Sequence, residues 1–109
     1  MITITYMVDM AHKNACEKGW HDKPRELPEL LCLVHSEVSE ALEDYRAGRD
    51  PQETYYEEGK PCGIPSELAD VVIRIADIAG HYGIDLEQAV CDKMAYNRTR
   101  SFRHGGKVV

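Results

Sequence analysis

The chain has 109 residues, enough for one domain but too few to bury much of its own surface, so a partner copy is expected to complete the core. Nineteen acidic against 13 basic residues leave a formal charge of −6, which argues against a nucleic-acid partner and suits a site for divalent cations. No apolar run reaches membrane-span length, MITITYMVDM has no basic leader region, and Cys16, Cys32, Cys62 and Cys91 form no CxxC pair, so a cytoplasmic protein with reduced thiols and no membrane partner is expected.

Four segments carry apolar residues at helical spacing. In the first, Ile4, Met7, Val8, Ala11 and Ala15 share a face, and Gly19 closes it. The opening Ile2-Thr3-Ile4-Thr5 alternates like a strand but is short and has no partner strand. In the second, Leu27, Leu30, Leu31, Val34, Val38, Ala41, Leu42 and Tyr45 form a stripe, with Pro28 and Glu29 suited to a first turn and Gly48 to the end. A loop of about 16 residues, Gly48 to Gly63, follows; loops of that length in compact domains are usually functional. The third segment starts near Pro65-Ser66-Glu67, carries Leu68, Val71, Val72, Ile75, Ile78 and Ala79, and stops around Gly80 to Gly83. The fourth, roughly Asp85 to Arg100, carries Leu86, Ala89, Val90 and Met94, with Asp85 as N-cap. The tail from Phe102 to Val109 is basic, contains glycine and reads as flexible. The fold class is all-α: a single domain over residues 1–109, a four-helix bundle completed by oligomerisation.

Carboxylates stand where packing alone does not want them. With the second stripe centred on Leu27 and Tyr45, about 100° per residue puts Glu37 near its edge and Glu40 beside Glu37, spaced i, i+3. Glu67 and Asp70 repeat this on the third helix. Like charges at that spacing cost a few tenths of a kcal/mol per pair, and a divalent metal would compensate. Mg²⁺ takes hard oxygen ligands and keeps waters for a phosphate substrate, and Mn²⁺ can substitute. The plainer alternative is a solvated face in which Arg74 serves Asp70 at i, i+4 and also Asp77. On the fourth helix the apolar face runs on into Lys93, Asn97 and Arg100, donors suited to phosphate oxygens. Cations also favour a helix C-terminus for its dipole, which leaves Asn97 unexplained.

Three segments, His35-Ser36-Glu37-Val38-Ser39-Glu40-Ala41-Leu42-Glu43, Glu67-Leu68-Ala69-Asp70-Val71-Val72 and Lys93-Met94-Ala95-Tyr96-Asn97-Arg98, together resemble the MazG-like, all-α nucleoside triphosphate pyrophosphohydrolases. The hallmark of that family is a Glu-x-x-Glu helix, a Glu-x-x-Asp helix and a Lys/Asn/Arg segment, and the similarity runs from about Gly19 to Lys107. The resemblance implies Mg²⁺ held by Glu37, Glu40, Glu67 and Asp70, with Lys93, Asn97 and, less closely matched, Arg100 on the phosphates. It implies a base stacked on Trp20 with His21 or Tyr96 as polar neighbours, and a homodimer or homotetramer whose neighbour completes the site. The reaction would be attack of water on the α-phosphorus of a nucleoside triphosphate, releasing pyrophosphate. Glu40, farther from the core than Glu37, is the first candidate to orient or deprotonate that water; the two can exchange roles. Ser36 stands where the family often has another acid, which removes one candidate base. Two alternatives remain: a related phosphoribosyl-ATP pyrophosphohydrolase, and a non-catalytic helical module for nucleotide binding or dimerisation. A di-iron bundle would need Glu-x-x-His, absent after Glu40 and Glu67.

Overall fold

The computed structural model describes residues 1–100; the basic tail lies outside the described residues. Helix α1 spans Ile4–Glu17. Thr3, the residue before it, accepts a hydrogen bond from the Tyr6 amide at 3.0 Å, so the opening that alternates like a strand is a helix cap. Helix α2 spans Leu27–Arg46, with Pro28 in its first turn. Helix α3 spans Ile64–Tyr82 and ends at Gly83, whose left-handed backbone (φ 65°) turns the chain away while Ile84 donates back to the Ala79 carbonyl at 2.8 Å. Asp85 caps α4, Leu86–Arg98, by accepting from the Gln88 amide.

The segment expected as a plain loop is partly ordered. Strands β1 (Tyr55–Glu57) and β2 (Lys60–Cys62) pair antiparallel with Tyr55 opposite Cys62 and Glu57 opposite Lys60. The two residues joining them, Glu58 (φ 51°) and Gly59 (φ 81°), both have positive φ, which matches the right-handed twist of a two-residue hairpin. β2 then runs through Gly63 into α3 and packs against it.

α3 is the central element: α1 and α2 both pack on it, while α4 packs on α1. The apolar core is small, built on Val8, Ala76 and Ala79, with Ile4, Met7, Ala11 and Leu86 around it. Gly80 makes the α1–α3 approach possible, since a Cβ there would fall 2.6 Å from Cβ of His12.

The buried face of α2 differs from the one its stripe suggests. Leu30, Glu37 and Ala41 are the buried residues, whereas Leu27, Leu31, Val38, Leu42 and Tyr45 are exposed, Leu42 at 56% and Tyr45 at 62%. The helix is rotated so that Glu37 faces α3 near the middle of the contact rather than standing at its edge. The physical reason is Arg74 of α3, whose Nε donates to Glu37 Oε1 at 2.7 Å and lets a carboxylate sit where only 8% of the residue is exposed. Arg74 therefore hydrogen-bonds Glu37, while its charge also acts on Asp70 of its own helix. Leu68, Val72 and Ile75 of α3 are exposed as well. Among the described residues, no helix is long and apolar enough to cross a membrane.

Candidate metal centre

Three of the four expected carboxylates converge. Glu37 from α2 and Glu67 and Asp70 from α3 each offer an oxygen within 4.8 Å of the others. The spacing on α3 puts Glu67, half-buried, and Asp70, exposed, one turn apart, and Glu37 reaches them from α2. Glu40 lies one turn along α2, close enough to share a hydrogen bond with Glu67.

The electrostatics are those of crowded acids. Burial pushes the Glu67 carboxyl up to about 7, with the Glu40 hydrogen bond and the charges of Glu40, Asp70 and Glu37 adding to it. Asp70 is also raised, by burial and by Glu37, against the opposing pull of Arg74 and Lys60. Oε2 of Glu67 is buried with no hydrogen-bond partner. An orphaned carboxylate oxygen amid other hard oxygen donors fits Mg²⁺ or Mn²⁺, which would supply the missing positive charge.

Beside the acids opens a cavity of about 320 Å³, lined among others by Lys18, Trp20, Glu37, Asp70, Arg74 and Asp77. Trp20 stands at its wall, and its indole carries cations: the guanidinium carbons of Arg25 and Arg74 lie 4.1 Å and 4.9 Å from the ring centroid. Arg74 thus ties the indole to Glu37 and the acidic cluster. His21, expected as a polar neighbour of a base, instead lies against Asp77, its Nε2 at 2.9 Å and 3.0 Å from the two carboxylate oxygens.

The α4 residues stand apart. Cys91 to Arg100 are all exposed, and Lys93 and Arg100 lie over the ring of Tyr96 at 5.2 Å and 5.9 Å. Among the described residues no hydrogen bond or ion pair joins Lys93, Tyr96, Asn97 or Arg100 to the carboxylates, because α4 packs on α1 and not along α2. In one copy, the cations nearest the acids come from elsewhere: Arg74 from α3, and Lys60 from the hairpin, which pulls on Asp70. Sequence reasoning missed Lys60 because it missed the hairpin. Asp77, which the alternative of a solvated face on α3 would leave exposed beside Arg74, is only 6% exposed and lies beneath His12 and His21.

Comparison with known proteins adds a direction. Over 90 residues, 79% of the chain, it is 34% identical to dCTP pyrophosphatase 1 of Mus musculus and 33% identical to that of Rattus norvegicus. The dCTP pyrophosphatase 1 of Bos taurus is 33% identical over the same length. The chain spans about half the length of these curated relatives, 51–52%. No family model and no solved structure matches the chain. What stands at this point is a mostly helical chain with a three-carboxylate cluster beside a cavity, homologous in sequence to part of the dCTP pyrophosphatases.

Proposed function

We propose that this chain is a MazG-like nucleoside triphosphate pyrophosphohydrolase, converting a nucleoside triphosphate and water to the monophosphate and pyrophosphate with Mg²⁺. The observation that carries the reading is the convergence of Glu37, Glu67 and Asp70 from two helices on a space that leaves a Glu67 oxygen unpartnered. Relatives named for dCTP support an ordinary nucleoside triphosphate over phosphoribosyl-ATP, and make dCTP the first nucleotide to test.

Glu37, Glu67 and Asp70 would hold the ion with Glu40 adjacent, and when bound it would neutralise triphosphate charge and polarise the phosphoryl group under attack. The chain's own groups do the rest. Arg74 fixes Glu37, and Glu40, at the accessible side of the cluster, orients the attacking water. Lys60, whose charge acts on Asp70, and Lys18, which lines the cavity, would meet phosphate oxygens from this copy. Lys93, Asn97 and Arg100 reach phosphates only if a second copy brings its α4 to the site. Ion-exchange separation of products from a triphosphate panel, with Mg²⁺ and with chelator, tests the reaction. Paired monophosphate and pyrophosphate supports it, and no Mg²⁺-dependent product from any triphosphate rejects it.

Two further expectations belong to this reading. The exposed stripe of Leu31, Val38, Leu42 and Tyr45 on α2, with Leu68 and Val72 exposed on α3, offers apolar surface of the kind that a second copy covers. Sedimentation at micromolar concentration should give a dimer or tetramer, and Leu42→Arg should dissociate it; a monomeric wild-type chain would count against the assembly. Trp20 is expected to stack on the base in place of the Arg25 guanidinium now over its ring, a contact worth about 1–3 kcal/mol. Trp20→Ala should then raise KM several-fold and blunt discrimination between bases while the melting temperature changes little. A large loss of stability with base preference intact would make Trp20 a packing residue.

A further inference from the structure

A second cluster adjoins the same cavity, which Asp77 lines together with Glu37 and Asp70. His12 of α1, His21 of the α1–α2 connector and His81 at the end of α3 each offer a ring nitrogen within 4.8 Å of the other two. Three of the chain's five histidines thus meet at one place, from segments up to 69 residues apart. Their ring centroids are 4.0 Å apart for His21 and His81, 5.2 Å for His12 and His21, and 5.5 Å for His12 and His81. Beneath them Asp77 is buried, with Oδ1 at 2.9 Å from both Nδ1 of His12 and Nε2 of His21. Cys16, one turn along α1, places Sγ 3.6 Å from Nε2 of His12.

We propose that His12, His21 and His81 form a binding site for a borderline-soft divalent transition metal of the Zn²⁺ class, with Asp77 as the carboxylate that positions two of the ligands. Nothing in this rests on the pyrophosphohydrolase reading. Asp77 accepts N–H from Nδ1 of His12 and from Nε2 of His21, which leaves the opposite nitrogen of each ring with its lone pair. A ligating histidine that donates its other N–H to a carboxylate is the usual arrangement around such ions, because the carboxylate fixes the tautomer and raises ligand basicity. Three imidazoles, with a thiol beside them, select Zn²⁺, Co²⁺ or Ni²⁺ over Mg²⁺, the reverse of the donor set at Glu37, Glu67 and Asp70.

One ring must move. His21 and His81 lie parallel, 8° between planes, so their lone pairs do not converge on a single point. His12 and His21 are held by Asp77, whereas His81 is exposed at the helix end and its ring makes no hydrogen bond among the described residues. In the proposed site His81, free to rotate about its side-chain torsions, is the ring that adjusts to meet the ion held by His12 and His21. The bound ion would tie the connector carrying Trp20 and His21 to α1 and α3.

The test uses the whole chain, stripped with chelator and held in excess Mg²⁺ so that the carboxylates are occupied. Co²⁺ is titrated in while visible d–d absorption is followed, and Zn²⁺ is then added to displace it. The expected result is absorption that saturates at one ion per chain, falls when Zn²⁺ is added, and is unchanged in Glu67→Gln. His81→Gln, an exposed change that leaves the core alone, should weaken binding by at least about tenfold, as should Asp77→Asn. No absorption, or absorption lost in Glu67→Gln and kept in His81→Gln, overturns the proposal.

Discussion

Glu67→Gln should lower Mg²⁺-dependent turnover by about two orders of magnitude or more, the scale on which loss of one electrostatic contact to a transition state acts. Its helical circular dichroism should match that of the wild type, and Asp70→Asn should behave alike. The stability effect runs the other way and depends on pH. The Glu67 carboxyl is raised from an ordinary 4.5 to about 7, so the folded chain binds that proton more tightly than the unfolded chain does. Its contribution to stability is therefore fully present below pH 4.5 and is lost as pH rises through 7. Glutamine mimics the protonated acid. Without metal, the melting temperature of Glu67→Gln should equal that of the wild type near pH 4 and exceed it near pH 8. Mg²⁺ at pH 8 should close that gap by stabilising only the wild type. A variant less stable than the wild type at pH 8 without metal would show that Glu67 is a structural acid with a partner, not an uncompensated ligand.

The second large effect is expected at Gly63. Its φ of 112° lies where side chains are strained, and a Cβ would sit 2.4 Å from the carbonyl oxygen of Glu53. Backbone strain of about 1–3 kcal/mol and a clash of about the same size should together lower the melting temperature of Gly63→Ala by roughly 10 °C or more. Gly63 also starts the helix that delivers Glu67 and Asp70, so activity should fall with stability. Gly59 makes the control: it too has positive φ, but nothing lies within 4 Å of a Cβ there. Gly59→Asn, which tolerates that backbone, should melt within about 2 °C of the wild type. Equal losses at the two glycines would mean that the contact with Glu53 is not what fixes the start of α3.

The acidic pairs were legible because i, i+3 spacing is local and each pair sits on one helix. The helix ends were legible for the same reason: Asp85 and Gly83 act within a turn of their own positions. The orientation of α2 was not. Averaging all its apolar residues placed the stripe centre between two faces, one packed on α3 through Leu30 and Ala41, the other open through Leu31, Val38 and Leu42. Only the partner Arg74, 37 residues away, shows which face is inward. The hairpin escaped because its turn uses Glu58 at positive φ, where asparagine or aspartate would have signalled it, and because Pro61 reads against a strand. Asp77 with His12 and His21 had no periodic signature at all; its partners lie 65 and 56 residues away and meet it only after α1 and the connector have packed on α3.

The most direct test of the central claim is the position of the bond that breaks. Hydrolysis of dCTP, or of the best triphosphate on the panel, in ¹⁸O-labelled water with Mg²⁺ reports it by mass spectrometry. Attack at the α-phosphorus predicts one ¹⁸O in the monophosphate and none in the pyrophosphate. Label in the pyrophosphate, or release of inorganic phosphate in its place, would contradict the account.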